Sequence, residues 1–400
     1  MARRALRRRH ESPRSPGCLE DRDRRPGRPI VSTAGLLSRF ASWANRGPFT
    51  VRDLSRYRIV FGVLVIVSLP DFTWVSGVPA PFYSPPPGPM ALLSGPPPLW
   101  LMLGVQAAIY VLLVALTAGL YTRFVSIAVS VLMLLGYGLT FSYGKIDHTI
   151  LMVAVPFVMA FSGWGGRYSL DSIRKPAGVP DNPQWPSRYL AMIIGLAFFT
   201  AALPKVASGW LSPSTQSAFG HFASRLVSGR DAPLTELAGA LHHQTWLWET
   251  VDWLTVILEA GIIVSAVSWA SFRIMMAVTT LFHLGVMMSF GILFTSNVIA
   301  YGAFVSWGLL SLPQVRWALK KSQVWVGGVV VIVLGVAVFV FERFFPESRD
   351  FFLPGIVVIA AVIGAGYLVF VVVRLARRLI ERRAAPPTPV VSRERESRRT

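Results

Sequence analysis

Residues 99–143 read LWLMLGVQAAIYVLLVALTAGLYTRFVSIAVSVLMLLGYGLTFSY. Two apolar runs, 99–120 and 124–143, flank one short loop whose only charge is Arg123. Each run is long enough to cross a bilayer as a helix, which takes roughly 17–25 apolar residues. Further runs lie at 57–76, 147–163, 188–204, 250–268, 272–294, 297–312, 325–341 and 352–373. Together they make about ten spans of the kind a bilayer requires. A soluble domain does not carry so much continuous apolar sequence, and the hydrophobic fraction of 53% agrees. The expected fold class is all-α, a polytopic transmembrane helix bundle.

Charge orients the spans. Lys and Arg outnumber Asp and Glu by 39 to 20, and the excess sits mainly in alternate segments. Arg123, then Arg167, Arg174 and Lys175, then Arg273, then Arg316, Lys320 and Lys321 mark every second loop, whereas 77–98 has no charge. Basic loops near span ends stay in the cytoplasm. An even number of spans therefore puts both Arg-rich termini in the cytoplasm, in a multi-pass protein of the cell (inner) membrane. The segment 205–249, with Lys205, Arg225 and Arg230, falls outside. The net charge of +19 could suggest nucleic acid. Basic tails beside membrane helices are better read as partners of anionic lipid headgroups, and no basic fold interleaved with aromatics supports nucleic acid.

Segments 1–50 and 384–400 are Arg-, Pro- and Ser-rich, with the composition of disordered chain. No cleavable signal peptide is expected, because the first apolar run begins near Tyr57. The single cysteine, Cys18, allows no intramolecular disulfide. Prolines at 79, 81, 85–87, 89 and 96–98 predict an extended, semi-rigid connector, with Phe82 and Tyr83 at the membrane interface. The segment 205–249 contains Trp210, Trp246 and Trp248 and a short helical stretch at 234–241. It is expected to lie on the outer surface and roof part of the bundle.

Ionisable residues at membrane depth are functional candidates, because burying charge in lipid is costly. Arg58 lies at the inner end of the first span, where snorkelling to headgroups is the plain expectation. Asp147 and His148 open the fourth span from outside. Lys205 follows Pro204 at the outer end of the fifth. Glu259 and His283 lie near the middle of two consecutive spans, the sixth and seventh. These last two are expected to be close, either as a structural hydrogen bond locking two helices or as part of a site. Lys205 either snorkels outward or edges an apolar cavity, where desolvation would free its amine to act as a base. No Walker A or CxxC sequence is present. His242–His243 lack a spaced third ligand, so no metal site is expected.

Four segments, in order, resemble one family. They are DLSRYRIVFGVLVIVSLPD (53–71), DHTILMVAVPFVMAFSGWGGRYSLD (147–171), FFTAALPKVASGWL (198–211) and ILEAGIIVSAVSWASFRIMMAVTTLFH (257–283). They look like the horizontally transferred transmembrane domain, HTTM, the membrane domain of vitamin K-dependent γ-carboxylase and its bacterial relatives. The matching pieces include His148, then Tyr168, Ser169 and Asp171, then Lys205, then Glu259 and His283. The resemblance implies a membrane domain over 51–312, two additional spans over 313–376, a basic N-terminal tail over 1–50 and a basic cytoplasmic tail over 377–400. It also implies that Lys205 is the counterpart of the base that deprotonates vitamin K hydroquinone, with His148 assisting and Glu259, His283 and Asp147 shaping the pocket. A quinone-like, lipid-soluble substrate at the outer face follows from that resemblance. This chain departs from the carboxylase in having two further spans and a basic tail where the carboxylase carries a large soluble domain. The rival from another class is a non-enzymatic transporter or membrane assembly partner. A transporter would show an inverted repeat, and no convincing repeat is visible.

Overall fold

The computed structural model describes residues 33–174, 181–230, 232–309, 324–345 and 347–384. The basic tails up to 32 and from 385, Cys18, Lys175, and the loop with Arg316, Lys320 and Lys321 lie outside the described residues. Helix α1 (Thr33–Asn45) begins in one compact unit, Met1–Trp43. The second unit, from Ala44 onward, holds the remaining helices.

In chain order these are α2 (Val51–Ser68), α3 (Leu99–Ala118), α4 (Thr122–Phe141), α5 (Ile150–Met159), α6 (Leu170–Arg174) and α7 (Trp185–Ala207). Then come α8 (Ser217–Val227), α9 (Thr235–Ala240), α10 (Thr245–Ser265), α11 (Trp269–Phe290), α12 (Thr295–Tyr301), α13 (Val324–Phe344) and α14 (Ser348–Ala384). Every regular element among the described residues is helical. Seven helical segments are long and apolar enough to cross a membrane: Val51–Gly77, Leu99–Ala118, Thr122–Phe141, Trp185–Ala207, Trp269–Phe290, Trp325–Phe344 and Phe351–Glu381.

The remaining three apolar runs behave differently. The run at 250–268 is α10, 21 residues long but carrying Glu249, Asp252 and Glu259. The runs at 147–163 and 297–312 form only the ten-residue α5 and the seven-residue α12. At 1.5 Å per residue these reach about 15 Å and 10 Å, short of the roughly 30 Å hydrocarbon core. Residues 310–312 lie outside the described residues. Helices α5 and α12 pack on each other, and every residue of α12 is buried. Irregular backbone at membrane depth is tolerated only where protein encloses it.

Local chemistry sets the helix ends. Thr50 and Asp53 form a capping box at the start of α2, which satisfies two otherwise orphaned amides. Gly119 closes α3 and Gly291 closes α11, both left-handed, at φ 72° and 61°, a conformation that costs glycine no Cβ clash. The proline-rich connector is less extended than its composition suggests. It forms 3₁₀ turns at Ala80–Phe82 and Pro89–Leu92. The Tyr83 hydroxyl donates to the Met90 carbonyl at 2.8 Å, and Ser84 N–H donates to the Ser142 carbonyl. Tyr83 is thus held against the end of α4, while Phe82 is exposed.

The bundle has two ends. At the first face, where α2, α4, α7 and α11 begin, arginines bind backbone carbonyls. Arg188 donates to Ala266 at 2.7 Å and stacks on Trp269 at 3.8 Å. Arg273 donates to Phe304 and Arg56 to Trp307, each at 2.8 Å. Arg58 does not snorkel. It is fully buried and donates to the carbonyls of Trp164, Leu116, Thr117 and Tyr168. The physical reason is local. The end of α3 presents carbonyls that no further turn of helix satisfies, and Gly119 leaves room for the guanidinium (a Cβ there would come within 2.2 Å of Nη1).

Candidate functional site

The second face, where α7 ends and α10 begins, holds most of the ionisable residues that the sequence singles out. Helices α7 and α10 pack closely because Gly195 lets α10 approach: a Cβ at 195 would lie 2.7 Å from the Ile263 Cα. Small residues at such crossings are the usual route to tight packing in membranes. That crossing brings Lys205, in the last turn of α7, against Glu259 on α10. The Lys205 Nζ donates to both carboxylate oxygens at 2.5 Å. Their side chains are 22% and 9% exposed. The chain then turns at Gly209, φ 84°, and Trp210 folds back with its ring centroid 5.4 Å from Nζ. Lys205 is thus turned into the protein by a carboxylate and held by a cation–π contact.

Among the described residues no hydrogen bond joins Glu259 to His283. Glu259 takes Lys205 from α7, and an ammonium is the stronger partner for a buried carboxylate. His283, fully buried on α11, pairs through Nε2 with the Tyr301 hydroxyl of α12 at 3.0 Å. Its ring stacks on Phe294 at 4.3 Å and on Tyr301 at 5.9 Å. Among the described residues His283 Nδ1 and Asn297 Oδ1 are buried without a hydrogen-bond partner.

His148 lies in the turn before α5, with its ring 4.6 Å from Phe294. Phe294 therefore touches both histidines. Among the described residues no hydrogen bond or ion pair joins His148 to Lys205. Asp147 turns to its own chain, accepting from the Thr149 N–H at 2.8 Å and the Thr149 hydroxyl at 2.6 Å. It shapes the entry to α5.

A roof closes the second face. Asp252, one of the acids on α10, is fully buried. It accepts from Ser217 N–H and Ala218 N–H, both at 2.8 Å, and so anchors the start of α8. Ala218, Phe222, Ala238 and Trp248 form a small apolar core there. His221 of α8 packs on Trp210 at 5.6 Å. The sequence alone drew attention to the aromatics of 205–249 but not to Trp210 over the lysine, to Tyr301 or to Asp252 as an anchor. Only the Trp210 link had a local signal, its spacing of five residues from Lys205 across a glycine.

A carboxylate and an ammonium offer opposite proton-handling groups, the Trp210 ring faces the ammonium, and among the described residues two buried polar atoms, His283 Nδ1 and Asn297 Oδ1, have no hydrogen-bond partner. Comparison with curated proteins and with solved structures gives no match. A family model, the HTTM domain, matches residues 47–306. That span includes α2 through α12 and every residue of the Lys205–Glu259 and His283–Tyr301 groups, and it covers more than half of the chain. The chain belongs to the HTTM family, as an integral membrane protein.

Proposed function

We propose that this HTTM protein acts on a quinone-like lipid at the second face, with Lys205 as the base. The observation that carries this reading is the 2.5 Å contact between Lys205 and Glu259, roofed by Trp210 and α8. An ammonium is not a base. One proton transfer across that contact converts the ion pair into a neutral amine beside a carboxylic acid, and the amine is then the base. Glu259 holds the proton, and Trp210 limits water at Nζ. Tyr301 and His283 fix the polar floor, while Phe294 sets the spacing of the two histidines. A hydroquinone bound here would supply the acidic phenol. His148, at the mouth, assists by hydrogen bonding to oxygen.

Lipid extracted from the purified protein and identified by mass spectrometry tests this reading. Wild type is expected to retain an isoprenoid quinone, and Glu259→Gln to retain less than half as much. A profile with no quinone above bulk membrane content counts against it. The short α5 and α12, meeting inside the bundle, favour the rival transporter reading, since transporters build sites from broken helices. A polar solute retained in place of a quinone would select that rival.

The proposed topology places both termini in the cytoplasm of a cell (inner) membrane protein, with the first face inward and anionic headgroups against its arginines. About ten membrane passages result if α5 and α12 each complete a crossing with their flanking turns. Reporter fusions at the C-terminus and after Pro213 are expected to report opposite sides. The same side for both overturns the topology.

A further inference from the structure

At the first face, the segment leading into α2 forms one wall of an open cavity of about 720 Å³, within the ~300–1,000 Å³ range of small-ligand sites. Its lining includes Phe49, Val51, Arg52, Arg167, Asn182 and Gln184. Three features of these residues point to an anion.

The wall is rigid before anything binds. The Gln184 amide accepts from the Phe49 N–H at 3.3 Å and donates to the Phe49 carbonyl at 2.9 Å. Asn182 Nδ2 donates to the same carbonyl at 2.8 Å. Gly47 makes this clamp possible, because a Cβ there would collide with Gln184 Oε1 at 2.2 Å. A preformed wall lowers the ordering cost of binding.

Two cations on different segments line the cavity. Arg52 lies on the first turn of α2. Arg167 lies in the turn after α5, where its N–H donates to Ser55 Oγ at 3.1 Å. Both side chains are exposed. Among the described residues neither guanidinium has a hydrogen-bond or ion-pair partner, unlike Arg56, Arg58, Arg188 and Arg273 on the same face.

The nearby acid is already occupied. Asp53 accepts from Thr50 N–H at 3.0 Å, from the Thr50 hydroxyl at 2.6 Å and from Gly308 N–H. Asp181, exposed beside Asn182, does not line the cavity.

We propose that this cavity binds a phosphoryl group through Arg52 and Arg167. Guanidinium forks match phosphate oxygens two at a time, which a lysine cannot do. Anionic lipid headgroups and soluble phosphates share that chemistry. The position at the end of a membrane helix, with the half-buried Val51 beside the two cations, points to the headgroup. The site lies at the opposite end of the bundle from Lys205, so it stands or falls independently of the quinone reading.

The test uses the full-length protein in neutral detergent. Native mass spectrometry measures retention of added phosphatidylglycerol against phosphatidylcholine, and a thermal melt measures the response to inorganic phosphate. The variants are Arg52→Gln/Arg167→Gln and a charge-matched control on exposed α14 residues, Arg377→Gln/Arg378→Gln. Wild type and the control are expected to prefer phosphatidylglycerol, and the cavity pair to lose about tenfold or more of that preference. A phosphate-induced rise in melting temperature that only the cavity pair removes, without lipid preference, supports the site and assigns it a soluble phosphate. Equal retention in both pairs, or no anion response in wild type, overturns the proposal. Both arginines are exposed, so the cavity pair should melt as wild type does without ligand.

Discussion

Arg58→Met is expected to abolish the folded protein, or to lower its melting temperature more than any other single change considered. Methionine nearly fills the volume but donates nothing. Three carbonyls on two segments would lose the donor they have: Thr117 at the end of α3, and Trp164 and Tyr168 in the turn after α5, while Leu116 keeps the Gly119 N–H at 3.0 Å. Each buried polar group left unsatisfied costs about 1–3 kcal/mol. Across three such carbonyls the loss reaches the ~4 kcal/mol that marks a severe substitution. The damage would spread, because the same turn carries Asp171. That residue accepts from Tyr121 N–H at 2.9 Å and Thr122 N–H at 2.7 Å and so holds the start of α4. Arg58→Lys should fall between, since one ammonium cannot reach both segments. Size-exclusion profiles and thermal melts in detergent measure the effect. A monodisperse Arg58→Met protein melting as wild type does would show that the guanidinium is dispensable.

That role could not be read from the sequence, and the reason is instructive. An arginine near a span end reads as a snorkelling side chain because only its depth is visible. What decides its fate is the partner: a helix end two segments away and a glycine that makes room for it. The spans themselves are legible, since length and apolarity are local properties, and α3, α4, α7, α11 and α13 follow the apolar runs closely. α5 and α12 were not, because hydropathy measures apolar length and is blind to where the chain leaves the helix. The site shows the same division. Lys205, Glu259 and His283 stood out because charge at depth is rare. The Lys205 contact is not legible in the sequence, because Gly195, far from Glu259 in the chain, is what makes α7 the neighbour that reaches it.

Removing Lys205 and removing Glu259 should not be equivalent. In Lys205→Met the carboxylate remains, 9% exposed and unpaired. Breaking a buried pair from one side costs about 3–5 kcal/mol, and the low end applies because the pair keeps some contact with solvent. In Glu259→Leu the lysine remains, and its four-carbon stem can carry the ammonium outward to water or headgroups. Lys205→Met is therefore expected to melt well below Glu259→Leu. The double variant leaves no buried charge and places two apolar side chains at a close helix crossing. It should recover most of the loss, since apolar replacement of a whole buried pair is often neutral or stabilising. Thermal melts of the four proteins form a double-mutant cycle that isolates the coupling. Activity should follow a different order: all three variants lose proton transfer at the site, including the stable double. A Lys205→Met protein as stable as wild type, or a double variant whose loss equals the sum of the singles, would mean that the contact carries no coupling. The proton-sharing pair would then have no energetic basis, whatever lipid the protein binds.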